Sequence, residues 1–161
     1  MPETPPNTTA SPWRSTHLGH WLRLALQRFD ARVMECMAQH PGVPLALSNL
    51  AARGQVTAAH IHITRHLPPE GARLTDLAQA AGMTKQAMGT LVTQCEAWGM
   101  VRREGSATDA RAKRVVFTEI GQAWLAAYQE AVAQAEAEMR AAVSEEVTTV
   151  IALGLEAYSG G

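Results

Sequence analysis

Hydrophobic residues recur at helical spacing along most of this 161-residue chain, so the pattern predicts a mainly α protein. In the first third of the chain the predicted helices are Ser15–Gln39, Leu45–Ala52 and Ala58–Leu67. The first is ended by Pro41-Gly42, and the third is capped by Thr57 and closed by Pro68-Pro69. The second lies in an ambiguous stretch, and residues 70–73 are predicted to form a turn.

The next stretch, LTDLAQAAGMTKQAMGTL from Leu74 to Leu91, predicts two short helices joined by a tight turn. Thr75 is a good N-cap for the first helix, Gly82 can end it in a left-handed conformation, and Thr84 can cap the second. The inward stripe of the second helix is predicted to be Met88, Leu91, Val92 and Cys95. Because Ala78 is small, the helices can cross closely, as in a helix-turn-helix. Alone, this segment leaves an ordinary pair of α-helices equally open.

After Gly99 the period becomes strand-like. The predicted β-hairpin consists of strands Met100–Arg103 and Ala112–Phe117 around a polar turn, Gly105–Ala110. A basic hairpin directly after a recognition helix is the winged-helix arrangement, and the alternative is an ordinary hairpin with solvated charges.

Two more helices are predicted at the end of the chain, one over Glu119–Val143 with Thr118 as its cap and one after Ser144. The wide apolar faces of the first and last helices need a partner, and a second copy of the chain would supply it. Such a dimer would place two reading heads about one DNA turn apart. The fold class is therefore mainly α with a small β-hairpin wing. The predicted organisation is a disordered leader (1–14), an N-terminal dimerisation helix and connector (15–54), a winged helix-turn-helix (55–118) and C-terminal dimerisation helices (119–161).

Charge is distributed unevenly, although the net charge is only −1. Residues 99–118 hold five basic and two acidic side chains, whereas residues 119–161 hold seven acidic and one basic. This asymmetry suits a protein that meets phosphate on one side only. The two cysteines have no metal-binding spacing, the start of the chain lacks the apolar core of a signal peptide, and no apolar run could span a membrane. A cytoplasmic protein without membrane contact is expected. No phosphate loop or nucleophile elbow points to an enzyme, and no cofactor is expected.

Three motifs together resemble the MarR family of winged-helix transcriptional regulators. They are LTDLAQAAGMTKQAMGTLV, then WGMVRRE, then TDARAKRVVFTEIG. The last is similar to the family's wing signature, an Asp-x-Arg run followed by a Leu-Thr-x-x-Gly helix start, with Phe117 replacing the leucine. The resemblance covers residues 57–139. It implies a homodimeric regulator, with a repressor as the expected form, that binds a palindromic operator on double-stranded DNA.

The resemblance also implies roles for particular residues. Arg111 matches the wing arginine that enters the minor groove, oriented by Asp109. On the outward face of the second helix, Thr84, Lys85, Gln86, Thr90 and Thr93 are candidates for contacts with base edges. The candidates for phosphate contacts are Arg73, Arg102, Arg103, Lys113 and Arg114, with solvated surface as the alternative for each.

A small aromatic or anionic effector is a further expectation from the resemblance. Trp21, Arg28, His62 and His66 could line a cleft suited to an aromatic carboxylate. His62 and His66 also have the i,i+4 spacing of two metal ligands, which leaves a metal-responsive regulator as an alternative, although no complete metal site is predicted. Redox control through Cys36 or Cys95 is left open. The other alternative is a winged-helix protein-interaction module with weak or no DNA binding.

Overall fold

The computed structural model describes residues 13–105 and 113–160, without the side chains of residues 58 and 59. In these ranges the helices are α1 (Trp13–Thr16), α2 (Leu18–Gln39), α3 (Leu45–Ala52), α4 (Ala58–His66), α5 (Leu74–Ala80), α6 (Lys85–Ala97), α7 (Glu119–Val143) and α8 (Glu145–Ser159). The strands are β1 (Ala72–Arg73), β2 (Val101–Glu104) and β3 (Arg114–Phe117). The mainly α fold class with a β wing is confirmed. No helix in the described ranges is long and apolar enough to cross a membrane.

The core lies where the second half of α2 and helices α4 to α7 meet the small sheet. Trp124 of α7 is fully buried at its centre, and its indole Nε1 donates to Thr64 Oγ1 of α4 at 3.1 Å. A buried indole N–H needs such a partner, so this bond fixes α7 against α4. The short helix α3 has its predicted bounds and packs on α2, where Ser48 Oγ donates to the carbonyl oxygen of Ala38 at 2.6 Å.

The N-terminal helix differs from its prediction. A single helix was expected over Ser15–Gln39, but the structure has a four-residue α1 and then α2, which begins at Leu18. The break falls at His17, whose extended backbone makes it the N-cap of α2 and whose Nδ1 accepts a hydrogen bond from the amide of His20 at 3.1 Å. A side chain that satisfies a free amide of the first turn can start a new helix there.

The helix-turn-helix is confirmed in α5 and α6, with one correction to its capping. Thr75 is not the N-cap of α5, because the helix begins at Leu74 with Arg73 in the extended N-cap position, two residues before the predicted cap. Gly82 has φ +63°, the left-handed conformation predicted for the turn. Thr84 caps α6 as predicted, since its side chain accepts a hydrogen bond from the amide of Ala87 at 3.2 Å. The four predicted inward residues of α6 are all buried.

The predicted hairpin is present, and a third strand extends it. β3 pairs antiparallel with β2 on one side, with Val101 opposite Phe117, and with β1 on the other, with Ala72 opposite Val115. The prediction of a turn over residues 70–73 was therefore wrong for Ala72 and Arg73. The predicted turn at the hairpin tip lies outside the described residues except for Gly105.

The two C-terminal helices begin as predicted. Thr118 caps α7, because its side chain accepts a hydrogen bond from the amide of Gly121 at 3.1 Å. Ser144, with φ +82°, separates α7 from α8. Almost all of α8 is exposed on the single chain, including its apolar side chains. The same is true of α1 and the first half of α2.

Candidate nucleic-acid interface

Helix α6 presents an exposed polar face beside the sheet. All five side chains predicted to contact bases are exposed on it: Thr84, Lys85, Gln86, Thr90 and Thr93. The Thr90 hydroxyl donates to the carbonyl of Gln86 at 3.2 Å, and that of Thr93 to the carbonyl of Gly89 at 2.9 Å. These hydroxyl hydrogens are engaged by the helix, so the Thr90 oxygen is left chiefly as an acceptor, while the Thr93 oxygen already accepts a hydrogen bond from Arg103 Nη2 at 3.0 Å. Lys85 and Gln86 make no side-chain bond to another described residue and can present a cation and an amide.

A groove of about 270 Å³ separates the helix-turn-helix from the base of the wing. Its lining includes four basic side chains, and the full set is Arg73, Leu74, Thr75, Lys85, Arg103, Lys113 and Val115. The groove brings together cations from β1, α6, β2 and the segment before β3, which are far apart in sequence. A concave cationic surface of this kind suits a phosphate backbone.

Four of the five predicted phosphate contacts have intramolecular partners. Arg73 pairs with Asp76 at 3.0 Å, and Arg102 pairs with Glu104. Arg114 donates to the carbonyl oxygens of Glu70 at 3.0 Å and Gly71 at 2.6 Å. Arg103 pairs with Glu96 of α6. Lys113 is exposed and makes no bond to another described residue, so it is the least constrained of the five.

The two residues predicted at the tip of the wing, Asp109 and Arg111, lie outside the described residues. Their role stays a prediction. Glu104 and Arg114, the strand residues nearest to this segment in the sequence, are paired across the sheet.

The four residues predicted to line an effector cleft lie on two helices, α2 and α4. Trp21 and Arg28 are exposed on α2. His62 and His66 stack on α4, with ring centroids 5.8 Å apart and planes inclined by 15°. His62 Nδ1 is buried and has no hydrogen-bond partner among the described residues. Burial, reinforced by repulsion from His62 and Arg65, lowers the pKa of His66.

A different groove of about 270 Å³ lies between α2, α4 and α7, and sequence analysis missed it. It is lined by Gln27, Asp30, Ala31, Val33, Met34, Ile61 and Tyr128. Arg65 is bonded to two of these residues, through Nη2 to Asp30 Oδ1 at 2.7 Å and through Nε to the Tyr128 hydroxyl at 2.9 Å. Burial opposes the charge on Arg65, but the bonds to Tyr128 and Asp30 outweigh it and raise its pKa. The sequence signal that could have indicated this groove is the helical spacing of Gln27, Ala31 and Met34, which places them on one face of α2.

Metal and redox chemistry find little support in the described ranges. No group of three or more His, Cys, Asp or Glu side chains there could hold a metal ion. Cys36 and Cys95 are both buried and free, and burial raises the pKa of Cys95 to about 12. A thiol with such a pKa is almost entirely protonated at neutral pH and reacts slowly.

Comparison with known proteins supports the same interpretation of this site. A sequence model described as the MarR family matches residues 61–112, which include α5, α6 and β2. The fold is similar to that of CouR, a transcriptional repressor solved bound to a 23-mer DNA duplex. The two are 20% identical, the match covers 92% of this chain and 96% of that one, and the TM-score is 0.69.

The fold is also similar to that of BpsR of Bordetella bronchiseptica, whose DNA binding is regulated by 6-hydroxynicotinic acid. This match has 20% identity, covers 91% of this chain and 96% of that one, and has a TM-score of 0.65. At these identities the structural likeness shows the fold, while the family model identifies the segment that carries the exposed helix and groove. The chain is therefore similar to the MarR family over that segment, and it shares the winged-helix fold of these proteins over nearly its whole length.

Proposed function

We propose that this protein is a sequence-specific DNA-binding transcriptional regulator, acting as a homodimeric repressor on a palindromic operator. The observation that carries the proposal is the exposed polar face of α6 beside a groove lined by four basic side chains. A protein-interaction module with the same fold has no need for that cationic groove. The similarity in fold to CouR, a repressor solved bound to duplex DNA, supports the same class of function.

In this proposal α6 enters the major groove and the wing reaches the minor groove. Lys85 and Gln86 read base edges, since an amide can pair with adenine and an ammonium group with guanine. Lys113 and Arg73 approach the phosphates of one strand from the sides of the groove. Arg111, oriented by Asp109, inserts into the minor groove, where a narrow groove concentrates negative potential.

Dimerisation is proposed from the apolar side chains that a single chain leaves in water. Leu18 is 72% exposed on α2, and Val150 and Leu153 are 69% and 60% exposed on α8. Apolar surface at both ends of one chain is typical of an interface between copies. A twofold dimer would match a palindromic site.

A small aromatic or anionic effector that releases the DNA completes the proposal. BpsR responds to 6-hydroxynicotinic acid, an aromatic carboxylate. In this chain such an anion could enter the groove between α2, α4 and α7, where it would compete with Asp30 for Arg65. The predicted set of Trp21, Arg28, His62 and His66 is the second candidate location. A thermal-shift screen with substituted benzoates, repeated on Arg65→Met and His66→Gln, would separate the two.

The direct test selects a binding site from random duplexes and measures its affinity by fluorescence anisotropy across a salt series. We expect a palindromic site, with log affinity falling linearly against log salt concentration. Arg111→Ala should weaken binding to it by about 1–3 kcal/mol, whereas Arg53→Ala, an exposed arginine directly after α3, should not. Weak binding without sequence preference would instead favour the protein-interaction module.

A further inference from the structure

Arg103 of β2 makes the densest set of contacts between the wing and the recognition helix. Its Nη1 is paired with Glu96 Oε2, and its backbone amide donates to Glu96 Oε1 at 3.1 Å. Its Nη2 donates to Thr93 Oγ1 at 3.0 Å and lies 3.5 Å from the carbonyl oxygen of Gly89. One side chain therefore contacts α6 at three positions spread over two helical turns.

The neighbouring arginine shows that this arrangement is specific to Arg103. Arg102 points to the opposite face of β2, as successive strand residues do, and its partner among the described residues is Glu104 on its own strand. Its side chain is 56% exposed, whereas that of Arg103 is 29% exposed. The two adjacent arginines thus have different environments, and one of them joins two elements.

The wing needs such a connection because its link to α6 is short and turns sharply. The chain leaves α6 through Gly99, at φ +74°, and enters β2 two residues later. A planar guanidinium that donates in several fixed directions restrains an angle better than a single point charge does. The contacts of Arg103 therefore restrain the direction in which the hairpin leaves the recognition helix.

We propose that Arg103 is a positioning residue for DNA reading. It holds the wing at the angle at which the wing and α6 engage adjacent grooves together, and it does not serve as a phosphate ligand. The proposal rests on the DNA-binding function proposed above. Its distinctive consequence concerns Glu96. Loss of an acidic charge beside a phosphate-binding groove should by itself strengthen DNA binding, but loss of the Arg103 partner should weaken recognition of the operator.

The test measures, by fluorescence anisotropy, the ratio of affinities for the selected operator and for a scrambled duplex of equal length. Arg103→Lys keeps the positive charge but removes the planar guanidinium group. Glu96→Gln removes the carboxylate charge with which that group pairs. We expect both variants to lower the ratio by about tenfold or more. Arg103→Lys should change scrambled-duplex affinity and the salt slope little, whereas Glu96→Gln should bind the scrambled duplex at least as tightly as wild type does. Glu104→Gln, which removes the same charge from the neighbouring pair, should not lower the ratio.

If Arg103 instead bound a DNA phosphate, the affinities of these variants would change differently. Arg103→Lys would then keep the ratio, Glu96→Gln would raise both affinities, and Arg103→Met would reduce the salt slope by about one. This outcome overturns the positioning role and leaves the proposed function intact. A wild-type protein without operator preference would overturn both. Thermal unfolding of each variant shows whether the protein is still folded when its ratio of operator to scrambled-duplex affinity falls.

Discussion

At the scale of single residues, Gly121 is a position with no room for a side chain. It lies in the first turn of α7, where the backbone of Met100 passes directly over it. A Cβ at this position would overlap the carbonyl oxygen of Met100 and lie 2.9 Å from Phe117 Cδ1. Because the obstacle is backbone, we expect Gly121→Ala to reduce the free energy of unfolding by about 1–3 kcal/mol or more. Urea unfolding measures this, and an unchanged midpoint would contradict the close packing.

Gly89 should behave in the opposite way. A Cβ there would meet only Leu74 Cδ2, at 3.6 Å, which is ordinary contact and points toward α5 rather than outward. Gly89→Ala should therefore raise the free energy of unfolding by roughly 0.5–1 kcal/mol through helix propensity alone. Operator affinity should stay unchanged, as anisotropy would show. A loss of affinity in a stabilised variant would mean that DNA approaches the backbone at this glycine.

At the scale of elements, local patterns predicted the helices, while contacts between distant segments explain the errors. Periodicity and capping residues were sufficient for α6 and α7, since Thr84 and Thr118 act within one turn of sequence. The two-residue β1 has no alternation to detect and exists because β3, about forty residues later, pairs with it. The break at His17 was hidden because residues 14–17 are all polar, so there is no apolar spacing there whose interruption would show it.

Helix α4 makes stability depend on pH. Burial and the neighbouring positive charges lower the pKa of His66, so the folded chain binds its proton less readily than the unfolded chain does. As pH falls below the ordinary histidine value of 6.5, the unfolded state is protonated first, and stability decreases until folded His66 is protonated too. We expect the unfolding temperature to drop less between pH 7.5 and 5.5 in His66→Gln than in wild type. Equal drops would contradict this role for His66.

At the scale of the whole molecule, the sequence predicted a basic segment but not the partners of its charges. A basic segment after the recognition helix was visible from composition, and the structure collects part of it into one groove. The sequence does not show which arginines have partners within the chain, because the partners of Arg103 and Arg114 lie on other elements. The groove lined by Asp30 could not be predicted for the same reason, because it forms where α2, α4 and α7 come together.

The ends of the chain give the prediction about assembly. Leu26 of α2 is 55% exposed and Leu153 of α8 is 60% exposed, although both lie on helices rich in apolar residues. If these faces meet in a dimer, the protein should sediment at twice the 17.3 kDa chain mass, and Leu26→Glu with Leu153→Glu should shift it toward monomer. Neither substitution disturbs the core of the single chain, so the monomer should stay folded and bind the operator more weakly because it reads one half-site. Leu45→Glu on α3, where the leucine is 76% exposed, adds the same charge away from these faces and should leave the dimer intact. A wild-type monomer, or equal effects of the terminal and α3 substitutions, would contradict an interface built from α2 and α8.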